Sequence, residues 1–162
     1  MSLRGSTTVS ERILASLPYL LPVLDGVGFG LFLVSQFPLL GIIFVPLFPL
    51  IAIYNTTFLG VIPVSFMIFI ALFAFVVRNE NIVHFIRFNT MQAILLDIVI
   101  FLCSLLLRLL KFIPGADFTV QTLSTTIFLG IIVAVIYAVS QSLLGRYAEI
   151  PAISEAVYTQ VR

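Results

Sequence analysis

Polar and charged residues fall in short stretches between long apolar runs. Five runs approach or exceed the about 20 mostly apolar residues that a helix needs to cross a bilayer: residues 13–34, 37–54, 58–77, 88–110 and 118–144. None alternates polar and apolar as a barrel strand would, and a backbone in lipid must satisfy its own N–H and C=O groups, so the runs predict helices. The first run is the weakest. Its "LPYLLPVLDGVGFG" holds two prolines, a carboxylate and three glycines, all unfavourable in a lone helix in lipid, and predicts an interfacial or re-entrant segment. The expected fold is all-α. It is one polytopic membrane domain over residues 1–162, with transmembrane helices at about 37–54, 58–77, 88–110 and 118–144, an N-terminal interfacial or re-entrant helical segment within 1–36 and a C-terminal tail over 145–162.

The loops test that count through the bias of Lys and Arg toward the cytoplasm-like side. With four spans, Arg4, Arg12, Arg78, Arg87 and Arg146 share one side and only Arg108 and Lys111 face the other. With five, Arg4 and Arg12 cross over and the bias disappears, so four spans with both termini inside are expected. "YNTTF" predicts a tight connection in which Asn55, Thr56 or Thr57 caps the next helix, with Pro63 early in that helix, where a missing donor costs least. The Asn-Thr-Thr triplet also matches a glycosylation acceptor, but it lies against the membrane and is discounted. "RNEN" predicts caps before the third span, "PGAD" separates the third from the fourth, and Gly145 closes the fourth. Pro38, Pro46 and Pro49 predict a kinked second run.

Composition sharpens the class. With 61% hydrophobic and 9% charged residues, against roughly a quarter charged in soluble domains, and a mean hydropathy of +1.23, the chain reads as an integral membrane protein. A net charge of +1 removes the clustered cations that nucleic acid would require. The single cysteine, Cys103, allows no intramolecular disulfide, and with the single histidine, His84, it offers no metal cage. No metal or cofactor is expected, and His84 reads as an interfacial polar residue beside Arg87. The N-terminal "MSLRGSTTVSERILASLPYLLP" lacks the small-residue cleavage site of a signal peptide and is too short and soon too apolar for a transit peptide. The expectation is insertion in the compartment of synthesis, a bacterium or an organelle.

Polar residues inside the runs carry the candidate chemistry. Asp97 sits near the middle of the run 88–110, where a carboxylate costs about 2.5–3.5 kcal/mol on insertion scales. It must carry a proton, meet a polar group of another helix, or touch water. Arg108, eleven residues on, shares its face but lies about 16 Å along the axis, too far to pair. Asn89 and Gln92, about one turn apart, are amides of the kind that hydrogen-bond between membrane helices. Arg87 precedes them. Asp25 is the second carboxylate, before a glycine, and reads also as a turn or helix-end residue. Gly26 and Gly30 form a small-xxx-small pair that permits close helix approach. Neither aspartate has the Gly-x-Gly-Asp setting of an intramembrane aspartyl protease, and His84 lies about 20 Å from Asp97 along one helix, so no catalytic set is expected.

Three stretches in order, "LPYLLPVLDGVGFG" with "QFP", "VVRNENIVHFIRFNTMQAILLDI" and "YAEIPAISEAVY", resemble the twenty-kilodalton subunit family of the Tic translocon. The most distinctive piece is Arg-Phe-Asn-x-x-Gln-Ala at Arg87, Phe88, Asn89, Gln92 and Ala93. The resemblance implies a four-helix, non-enzymatic protein of the chloroplast inner envelope that helps preproteins cross, with relatives in cyanobacteria. The lack of a transit peptide points to a cyanobacterial or plastid-encoded member. Expected partners are other translocon subunits, preproteins and the lipid bilayer, in a homo-oligomer or larger complex. The expected pathway residues are Asp97, Asn89, Gln92, Arg87 and Asp25. The alternative is a small proton- or cation-coupled transporter using Asp25 and Asp97 near broken helices.

Overall fold

The computed structural model describes residues 7–161. Arg4, one of the cations weighed above, lies outside the described residues. The chain is helical almost throughout. Helix α1, Val9–Gln36, is followed by α2, Pro38–Tyr54, then a hairpin of β1, Thr57–Phe58, and β2, Ile62–Pro63, then α3, Val64–Val77. The long helices α4, His84–Leu110, and α5, Asp117–Leu143, follow, and a short α6, Ile153–Gln160, ends the chain. By length and composition α1, α4 and α5 can cross a membrane, whereas α2 and α3 are shorter apolar helices.

The first segment is helical, and more continuous than its prolines and glycines suggest: α1 is one helical rod of 28 residues, long and apolar enough to cross a membrane. Thr8 and Glu11 form a capping box at its start: Glu11 N–H donates to Thr8 Oγ1 and Thr8 N–H to Glu11 Oε2 at 2.8 Å. Pro18 falls in a 3-10 turn, Leu17–Tyr19, which bends the rod without ending it. The glycines that look helix-weakening are where α5 packs closest. A Cβ on Gly30 would sit 2.6 Å from the Phe128 ring, and one on Gly26 3.1 Å from Ile131 Cγ2. Packing between helices outweighs the local propensity.

The expected span 58–77 is also shortened, because helix begins only at Val64. Leu59 and Gly60 both have positive φ, 52° and 71°, and turn the chain back so that Phe58 pairs with Ile62. Thr56 does not cap α3; its hydroxyl donates to the Ile53 carbonyl at 2.6 Å and closes α2. Likewise no "RNEN" side chain caps α4, whose N-cap is Val83; Asn79 accepts from Asn81 N–H instead. Gly145, φ 73°, ends α5 as expected. Within α2, Pro46 sits in a 3-10 turn, Val45–Leu47.

Contacts fix the helix directions. Tyr19 of α1 reaches Asn89 of α4, and further along both helices Asp25 and Asp97 line one cavity, so α1 and α4 run parallel. Ser142, late in α5, meets Asn89, while Phe128, early in α5, meets Gly30, so α5 runs against both. Helix α2 returns along α1, with Gly41 beside Val34 and Tyr54 beside Asp25. The end of α3, a π turn at Leu72–Val77, lies against the start of α4, where Arg87 Nε donates to the Val77 carbonyl at 2.9 Å. The main core sits between α1, α4 and α5, around Tyr19, Ala93, Leu96, Phe128 and Ile131. A second cluster joins α3, α4 and α6 through Val77, Phe88, Ile94 and Val157.

The tail expected at 145–162 therefore contains a docked helix. Phe88 packs its ring 4.9 Å from those of Tyr147 and Tyr158. His84 Nε2 donates to the Val161 carbonyl at 3.3 Å, and Nδ1 shares a hydrogen bond of 3.0 Å with Tyr147 OH. His84 pins the tail to the start of α4.

Candidate functional site

The five candidate residues divide into two sets. Asn89 and Gln92 are fully buried, on the face of α4 that meets α1 and α5. Asn89 Oδ1 accepts from Tyr19 OH at 3.0 Å and from Ser142 Oγ at 2.8 Å, while Nδ2 donates to the Phe85 carbonyl at 2.8 Å. Gln92 Nε2 donates to Tyr19 OH at 2.9 Å, and its buried Oε1 has no donor among the described residues. Three helices are thus joined through one amide and one phenol. Interhelical bonds of this kind average about 0.6 kcal/mol each in membrane proteins, with a maximum near 1.7. Arg87, also buried, holds the end of α3. None of the three lines the cavity described next.

Asp25 and Asp97 form the second set. They lie beside a cavity of about 670 Å³ bounded by α1, the end of α2, the first half of α3 and the middle of α4. Tyr54, Ser65, Ser104 and Arg108 also line it, and Phe29, Phe66, Phe69 and Phe101 form much of its wall. Tyr54 OH donates to Asp25 Oδ2 at 2.7 Å. Asp97 lines the same cavity as Asp25, and among the described residues its buried Oδ1 has no hydrogen-bond partner. Two carboxyl groups on one apolar-walled cavity can hold a proton or face a cation.

Sequence reasoning missed Tyr19, Tyr54 and Ser142. A tyrosine or serine in an apolar run is ordinarily a packing residue. Only the tertiary pairing of Tyr19 with Asn89 and Tyr54 with Asp25 marks these hydroxyls. One clue was available, since Tyr19 stands between Pro18 and Pro22 in the same broken segment that carries Asp25.

Residues 8–157 match a protein family described as Chloroplast import apparatus Tic20-like. The chain is 43% identical over 163 residues to a Tic20 family protein of Synechocystis sp., an alignment covering 100% of this chain and 99% of that protein. It is 38% identical over 160 residues to Protein TIC 20-v, chloroplastic, of Arabidopsis thaliana, covering 96% and 73%. A Tic20 family protein Ycf60 of Porphyra purpurea is 32% identical over 167 residues, covering 97% and 78%.

Proposed function

The chain belongs to the Tic20 family, and on that premise we propose that it is a non-enzymatic integral membrane subunit of a preprotein-translocating complex. It forms or borders the pathway across the plastid inner envelope or the equivalent cyanobacterial membrane. The observation that carries this reading is the family match over residues 8–157. The cavity supports it: a carboxyl pair at mid-helix depth, sheltered by neighbouring helices, leaves a polar group available inside an apolar bundle. A bundle this small can hardly enclose a polypeptide, so partner subunits or further copies complete the path.

The proposed topology has four crossings with both termini on the stromal or cytoplasmic side. Because α1 and α4 run parallel, the chain must return between them, and α2 and α3 together supply that return. The end shared by the starts of α1 and α4 then carries Arg12, Arg78, Arg87 and Arg146, against Arg108 and Lys111 at the other, which satisfies the positive-inside bias. In a Cys103→Ser background, cysteines at Asn81 and Thr159 are expected to react with an impermeant thiol reagent from one side, and one at Lys111 from the other. Labelling of all three from one side refutes the topology.

The translocation role is tested by Asp97→Leu. The variant is expected to insert normally yet show reduced preprotein crosslinking and transport. Unchanged transport counts against the role. The facing of Asp25 and Asp97 favours one second reading, a proton- or cation-coupled transporter. Proton-linked solute uptake by the purified protein in liposomes, abolished by Asp25→Asn or Asp97→Asn, decides for it.

A further inference from the structure

The π turn Leu72–Val77 holds the end of α3 against α4, while the preceding half, Val64–Ala71, diverges and leaves the cavity between them. Its rim is apolar and outward-facing: Phe66 is 56% exposed and Phe101 64%. Whatever enters from this side does so within the membrane. At the inner end Asp25 and Asp97 both line the cavity, so two carboxyl groups face one apolar-walled space. Arg108 lines the same cavity but stands about 16 Å along α4 from Asp97.

We propose that this opening is the docking site for an apolar membrane helix of a partner subunit that carries one Lys or Arg about halfway along its length. Its cation seats on the Asp25–Asp97 pair and the helix body covers Phe66 and Phe101. Charge complementarity selects this occupant. A lone cation buried in a membrane helix needs an anionic partner at the same depth, and the pair supplies one. A lipid phosphate would be repelled. A second copy of this chain has no suitable group, because the cations of its long helices lie near their ends: Arg12 in α1, Arg87 and Arg108 in α4. The inference rests on the reading of the chain as a subunit of a complex and names the surface through which it assembles.

The test uses full-length protein in phosphatidylcholine vesicles, with a fluorophore on Thr159→Cys in a Cys103→Ser background. The probe is a synthetic Leu/Ala helix of about 20 residues with one central Lys, carrying the second fluorophore at its end. Saturable energy transfer is expected. Replacing the central Lys with Leu, or the protein carboxyls with Asp25→Asn and Asp97→Asn together, is expected to weaken association about tenfold. Ser104→Trp, which fills the cavity and leaves the carboxyls in place, is expected to block the Lys helix equally, so a folding defect of the double variant does not decide the matter. Equal association of Lys and Leu helices, or indifference to both the double variant and Ser104→Trp, overturns the proposal. Preprotein transport that still depends on Asp97 in that event leaves the translocation role standing.

Discussion

At the residue scale, similar polar side chains on one helix do different work. Asn89 has partners on every polar atom it presents, and removing it takes the acceptor from the buried Tyr19 OH and leaves Ser142 Oγ only the Ala138 carbonyl. Asn89→Ala is therefore expected to lower stability by about 2 kcal/mol, within the range for leaving buried groups unpaired, as read from chemical unfolding in detergent. Asp97→Asn removes no donated hydrogen bond and gives Asp25 an amide to accept from, so its unfolding midpoint is expected to stay near that of the parent. A large loss for Asp97→Asn and none for Asn89→Ala would reverse the roles assigned here. The sequence singled out both residues by type and depth. It could not tell the lock from the open site, because that depends on Tyr19, Tyr54 and Ser142, which arrive from three other helices.

At the scale of elements, the runs 88–110 and 118–144 were readable nearly to their ends, because long apolar runs in lipid leave helix as the only solution. In the run 13–34 the prolines and glycines, weighed locally, hid the continuity of the helix, whereas Gly26 and Gly30 serve the contact with α5. The hairpin inside 58–77 was missed because Leu59, 84% exposed, takes a positive φ that its side chain disfavours. Two neighbouring glycines separate the effects in α1. Gly30→Ala drives a methyl into the Phe128 ring and is expected to cost about 1–3 kcal/mol. Gly28→Ala meets nothing within 4 Å and is expected to be neutral or to stabilise by about 0.5–1 kcal/mol. Thermal unfolding of the two variants side by side checks the pair.

At the scale of the whole molecule, membrane class and family were legible from composition and from the Arg87 to Ala93 piece. The path of the chain was not, since helix direction is set by contacts between residues far apart. The C-terminal helix shows the same limit: residues 145–162 read as a tail, yet Val157 is fully buried and His84 holds the Val161 carbonyl. Val157→Asp is expected to undock α6, raising hydrogen exchange across Ile153–Gln160 while the α1, α4 and α5 amides stay protected. Loss of protection throughout the bundle would instead make α6 part of its foundation.

The parallel pairing of α1 with α4 also bears on biogenesis. Tyr19 and Asn89 are 70 residues apart, so at roughly 5–20 residues per second a ribosome takes about 4–14 s to deliver the second partner after the first. Throughout that interval the nascent α1 exposes its prolines and its glycine face, and Asp25 has at most Tyr54 of α2 for company. It waits at the headgroups, or in the care of an insertase, and becomes fully embedded when α4 emerges. Chains stalled near residue 80 should leave Asp25→Cys open to aqueous reagents, and chains stalled beyond α5 should close it off.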